Sequence, residues 1–152
     1  MPVLISSRGG PHGFAVGPLR TRARRMLHAL GLPDAELSIL LVDDATIQQC
    51  NAQYRGKDVP TDVLSFAMRD GEFGSVHASV LGDVVISVPT ARRQASRSKC
   101  TLIERVTFLL AHGLLHLVGH DHETDDQALE MRRETRRILG CARDTRKLTS
   151  RK

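Results

Sequence analysis

The chain has 152 residues, about the size of one domain, and its 41% hydrophobic and 26% charged residues are ordinary globular composition. That excludes a disordered linker, a collagen and a long coiled coil, and no apolar run reaches the roughly 20 residues of a membrane span, so no membrane partner is expected. Lys and Arg number 22 against 17 Asp and Glu, a net charge of +5 carried mostly by arginine, whose guanidinium fork suits a phosphate-bearing partner.

In chain order, Val3, Leu4 and Ile5 read as a short first strand, followed by a Gly/Pro-containing loop over 6–13. From 18 to 30 the apolar positions Leu19, Ala23, Met26, Leu27 and Leu30 recur at helical spacing, with arginines expected on the opposite face. Gly31 and Pro33 end that helix. A strand is expected over 36–42, and then a helix capped by Asp43 or Asp44 that runs to Tyr54 with Ile47 and Cys50 inward. A loop over 55–61 precedes a strand over 63–68. A polar stretch over 69–77 precedes a third strand signal over 79–87. Pro89 opens a basic helix over 90–98, carrying Arg92, Arg93 and Arg97 without an acid.

The next helix is the most clearly marked. Thr101 and Glu104 form a capping box, and the apolar run behind them reaches Val118 before Gly119. Thr124 and Gln127 open a last helix to Leu139, with Ala128, Met131 and Ile138 inward and four arginines outward, closed by Gly140. Residues 141–152 read as a frayed basic tail. The expected fold is therefore α+β: a single domain over 1–152, with a small mixed sheet of three to four strands packed by about five helices.

Cys50, Cys100 and Cys141 are widely spaced with no CxxC, which suits a reducing, cytoplasmic setting rather than a disulfide framework. Residues 1–33 hold five arginines and no acid, read as a basic first helix in preference to a transit peptide. Aromatics are only 3%, so Phe14, Tyr54, Phe66, Phe73 and Phe108 are all that a base-stacking platform could use.

Four of the seven histidines fall in one stretch, HGLLHLVGHDH, as His112, His116, His120 and His122. Residues i and i+4 of a helix lie on one side about 6 Å apart along the axis, so His112 and His116 can share one metal ion at the end of the central helix. Gly119 lets the chain turn back to bring a third ligand, either His120 or His122. His122 is favoured, because H-x-x-x-H-x-x-G-x-x-H is the metzincin ligand spacing. Three protein ligands leave a fourth position for water, the mark of a catalytic ion. The glutamate that serves as base in HExxH peptidases is replaced by Gly113, which argues against peptide hydrolysis.

These residues resemble the metal motif of the YbeY endoribonucleases. NAQYRGKDVPTDVLSF, over 51–66, and LGDVVIS, over 81–87, resemble two further blocks of that family in the same order and spacing, so the resemblance covers roughly 34–140. It implies one zinc ion per chain held by His112, His116 and His122, with His120 outside the set, and Arg55 facing the metal. A fixed guanidinium there would stabilise the charge that a phosphodiester gains in its transition state. Asp62 and Asp121 are candidates either to orient a ligand imidazole or to serve only as turn and cap residues.

The expected function is a zinc-dependent, single-strand-specific endoribonuclease in ribosomal RNA processing, at the small-subunit 3′ end, and in ribosome quality control. Arg55 and His112 would be catalytic, and Arg92, Arg93 and Arg97 would track the RNA backbone. A ribosomal protein or assembly partner is compatible with this reading, and DNA is not an expected substrate. Two rivals are a ribosome-assembly factor with a structural zinc and a metalloprotease-like hydrolase.

Overall fold

Alternation in the second strand puts Leu37, Ile39 and Leu41 on one side, and all three are buried. The computed structural model describes residues 3–8, 13–68 and 80–143. Strands β1 (Val3–Ser7), β2 (Glu36–Val42), β3 (Val63–Ala67) and β4 (Val80–Ser87) form one sheet in the order β1-β2-β4-β3. The first three neighbours are parallel, with Ile5 beside Ile39 and Ile39 beside Val84. β3 is an antiparallel edge strand with Leu64 beside Val85. Gly82 (φ +141°) is where β3 comes nearest: a Cβ there would collide with the carbonyl oxygen of Phe66.

Five helices among the described residues complete the α+β domain: α1 (Val16–Ala29), α2 (Asp44–Arg55), α3 (Val88–Ser98), α4 (Leu102–Leu117) and α5 (Asp125–Arg143). Ile39, Val84 and Ile86 join one core with Leu19 and Met26 of α1, Leu110 and Leu114 of α4, and Met131 and Ile138 of α5. On the other side of the sheet, Leu64 and Val85 pack with Ile47 of α2, and Cys50 and Phe66 lie alongside. The sheet thus has apolar residues on both faces, which is why β4 carries the consecutive apolar residues Val84, Val85 and Ile86. No single helix among the described residues is long and apolar enough to cross a membrane.

Helix starts follow their caps. The Thr101–Glu104 box closes in both directions, at 2.9 Å and 3.2 Å, and Thr124 and Gln127 exchange the same pair of bonds at 3.2 Å and 3.1 Å. Asp43 is the cap of α2, accepting from the Thr46 N–H at 2.9 Å. Asp44 is thereby left to join α2 to α3, accepting from Ser87 Oγ at 2.6 Å, Thr90 Oγ1 at 2.7 Å and Arg93 at 2.9 Å. Burial opposes ionisation of Asp44, but those three hydrogen bonds hold its carboxyl below the ordinary 3.8.

Several boundaries and faces differ from expectation. α1 starts at Val16 and α3 at Val88, earlier than their prolines suggest, because both prolines sit in the first turn, where no N–H is needed. α5 passes through Gly140 to Arg143, and Ala142 is fully buried. The carbonyl of Ala142 accepts from Arg25 at 2.9 Å, so contact with α1 outweighs the low helix propensity of one glycine, and the helix takes in residues 141–143. The arginines of α1 are not all outward either: Arg22 reaches Thr107 Oγ1 at 2.9 Å. The polar stretch at 69–77, with Phe73, and the tail beyond 143 lie outside the described residues.

Candidate metal centre

The last two turns of α4 carry His112 and His116, and their Nε2 atoms are 3.2 Å apart. Gly119 (φ +102°) then reverses the chain, with its N–H on the carbonyl of His116 at 3.1 Å and the His120 N–H on that of Leu115 at 3.0 Å. The turn returns His122, so that one ring nitrogen from each of His112, His116 and His122 lies within 4.8 Å of the others. His120 is not in that group. It lines the groove on the same side and also a smaller hollow with Gln127 and Glu130.

The donor set fits a metal ion. Two imidazole nitrogens on one tetrahedral zinc, each about 2.0–2.1 Å from it, stand about 3.3 Å apart, close to the His112–His116 separation. Burial first, then the neighbouring His116, pushes His112 below its ordinary pKa of 6.5; Asp62 opposes this and His122 adds to it. Burial and His122 likewise lower His116, with Asp121 opposing and Arg55 contributing to the fall. Both rings are therefore neutral near pH 7, the form that binds a metal.

Gly113 faces the strands beside this centre. A Cβ there would lie 2.8 Å from Val84 Cγ1, 3.0 Å from Ser65 Oγ and 3.1 Å from Val63 Cγ2. Ser65 also donates to the Gly113 carbonyl at 2.8 Å. α4 thus rests directly on β3 and β4 at the position after the first histidine. A peptidase glutamate is absent from that position, and the packing leaves it no room.

Arg55 ends α2 and lines a groove of about 700 Å³ together with Asp62, Ser65 and the three histidines. Its place is fixed by the turn after it. Gly56 (φ +70°) stops the helix, and the buried Asn51 donates to the Val59 carbonyl at 2.9 Å, tying the following loop back onto α2. Asp62 lies in the same groove and accepts from the Val63 N–H at 2.8 Å and from Gln94 Nε2 at 3.1 Å. Gln94 in turn accepts from Arg105 at 2.7 Å. Asp121 accepts from the His122 N–H at 2.8 Å. Among the described residues neither carboxylate is hydrogen-bonded to an imidazole; each acts on one through its charge.

The α3 arginines are not brought to the groove. Arg93 is bound to Asp44 at the far end of α2, and α2 is about 17 Å long. Arg92 and Arg97 are exposed beside it on α3. Arg132 and Arg136, expected on the outer face of α5, are exposed there, and they also border a second hollow against His112 and His122, a placement the sequence reading missed. Their spacing from Ala128 and Leu139 was the available signal: all four lie at helical intervals along one stripe.

Fold and site define a single-domain α+β protein of the metal-dependent hydrolase class. Residues 19–142 match the family described as endoribonuclease YbeY, and the chain belongs to that family. It is 44% identical over 136 residues to the endoribonuclease YbeY of Geobacter metallireducens, covering 90% of this chain and 91% of that protein. To the endoribonuclease YbeY of Pelotomaculum thermopropionicum it is 43% identical over 152 residues, covering 96% and 100%. The solution structure of TM1509 from Thermotoga maritima shares the fold, with a TM-score of 0.62 at 23% identity over 92% of this chain and 88% of that one.

Proposed function

We propose that the chain is a zinc-dependent endoribonuclease that cuts single-stranded RNA, ribosomal RNA above all, at the small-subunit 3′ end and in ribosome quality control. The observation that carries this is the convergence of three imidazole nitrogens in a groove that also holds an exposed arginine. His112, His116 and His122 would hold one zinc ion, the metal that three imidazoles suit best. When bound, it supplies a Lewis acid and an activated water.

The chain's own residues do the rest. Arg55 grips the non-bridging oxygens of the phosphate and steadies the charge that grows on them. Asp62, held by Val63 and Gln94, sets the local field at His112 and shares the groove with Arg55. Asp121 does the same for His116. His112, half-buried and neutral near pH 7, presents a ring nitrogen to the ion, and it would take a catalytic proton only when that nitrogen is released from the metal. Arg92 and Arg97, with the outer edge of Arg93, serve as outlying backbone contacts, so Arg92→Glu and Arg97→Glu weaken binding alike for all sequences. The separate half-buried thiols of Cys50, Cys100 and Cys141 suit a reducing cytoplasm.

The test is cleavage of a single-stranded RNA by zinc-loaded protein beside His116→Ala purified identically. Cutting by the wild type alone, with both proteins folded by circular dichroism, supports the reading. Equal cutting by both overturns it.

A further inference from the structure

Between α4 and α5 lies a hollow of about 500 Å³ that the proposed chemistry leaves unused. Phe108, the buried Met131 and Leu139 give it an apolar lining, and it ends against His112 and His122. Two exposed cations, Arg132 and Arg136, border it one helical turn apart. Their neighbour Arg137 is held by Glu134 at 2.9 Å and by the Ala29 carbonyl at 3.1 Å. Among the described residues no hydrogen bond or ion pair holds Arg132 or Arg136.

An apolar slot bordered by two exposed guanidinium groups, opening onto a metal-competent centre, matches one kind of occupant. A nucleotide of a single strand presents a flat apolar base and a phosphate together. We infer that this hollow is a nucleotide subsite: it takes the base beside the bond being cut, while Arg132 and Arg136 pair with the adjoining phosphates. The inference rests on the ribonuclease reading and names how that site holds its substrate. Arg105 lies 4.5 Å from the centre of the Phe108 ring and is itself anchored to Gln94, so the aromatic wall is stiffened in advance. The hydroxyl of Thr135, also in the lining, spends its proton on the Met131 carbonyl at 2.7 Å. The slot therefore has no hydroxyl proton to offer a base edge, and it accepts bases by shape, with little sequence preference.

The occupant is tested from both sides of the contact. Wild type, Arg132→Ala/Arg136→Ala and Ala128→Leu (a larger side chain in the same lining) are compared for binding by fluorescence anisotropy and for single-turnover cleavage. The RNA is a short single strand, intact or carrying one abasic nucleotide placed at each position in turn. For the wild type, one abasic position beside the cut weakens binding about tenfold. Ala128→Leu weakens the intact RNA by a similar factor and abolishes the abasic penalty, since both changes remove one contact. The arginine pair, exposed and unpartnered among the described residues, is replaceable without unfolding; its loss weakens binding about tenfold and lowers the salt slope by about 1.4. Penalties that simply multiply, or variants that bind and cut like a competent wild type, overturn the subsite alone. A wild type that neither binds nor cuts RNA overturns the ribonuclease reading and the subsite with it.

Discussion

His112 and His116 hold their protons less tightly in the folded chain than their ordinary 6.5, burial being the main cause for each. Between the lowered value and 6.5 the unfolded chain carries more protons, so stability rises with pH in that window and is lost as pH falls below about 6.5. Asp43, Asp44 and Glu134 are lowered as carboxylates, and their contributions fade only in more acid solution, so the two windows separate. Metal-free protein should therefore melt at a lower temperature at pH 5.5 than at pH 7.5, and His112→Asn/His116→Asn should flatten that difference. An unchanged slope in the double variant would remove the histidines as its source. Arg55 gives a second test at this scale: Arg55→Ala should cut kcat about a hundredfold with little loss of fold, since the side chain is exposed. Arg55→Lys should recover only part, because one ammonium cannot make the paired bonds of a guanidinium. Equal rates for Arg55→Ala and wild type would take Arg55 out of the chemistry.

At the level of helices, a buried glycine and an exposed one have opposite fates. Gly113 sits where α4 touches β3 and β4, and a methyl there meets the stiff side chain of Val84 at 2.8 Å. Gly113→Ala should lower stability by about 1–3 kcal/mol despite the better helix propensity of alanine. Gly140, inside α5 with nothing within 4 Å of its would-be Cβ, should behave the other way: Gly140→Ala adds about 1 kcal/mol, or roughly 2–4 °C in Tm. Thermal melts of the pair decide both, and a stabilised Gly113→Ala would refute the close helix–sheet contact. These glycines also mark where the sequence was legible. Caps, strands and the histidine group are local: Thr101 with Glu104, or His112 with His116, announce themselves by spacing within one turn. Whether Gly140 ends a helix depended on Arg25, 115 positions earlier, and whether the outward-facing Arg132 also borders a hollow depended on how α5 packs on α4. Such facts are set by packing and carry no periodic signature. Arg55 was reached only through a resemblance, because a loop-facing arginine at a helix end has no pattern of its own.

For the molecule as a whole, the question is whether the metal centre holds the fold or is held by it. The main core runs from Leu19 in α1 through Ile39 and Ile86 in the sheet to Leu114 in α4 and Ile138 in α5, without any of the three histidines. α5 is tied to α1 independently, through Arg25 to the Ala142 carbonyl and Arg137 to that of Ala29. An ion bound to His112, His116 and His122 would span α4 and the loop before α5, a short stretch already closed by the Gly119 turn and the Thr124–Gln127 cap. Its removal should therefore abolish activity and lower stability, and Tm with it, by the linkage of binding to folding, about 2.7 kcal/mol at ligand concentrations about a hundredfold above Kd. The far-UV circular dichroism at 25 °C should stay unchanged. A chelator-induced cooperative loss of that signal would mean that the ion organises α5, and would favour a structural zinc in an assembly factor over a catalytic one. With the core already complete around Ile39 and Leu114, the expected result is an inactive but folded chain that recovers its cutting when zinc is returned.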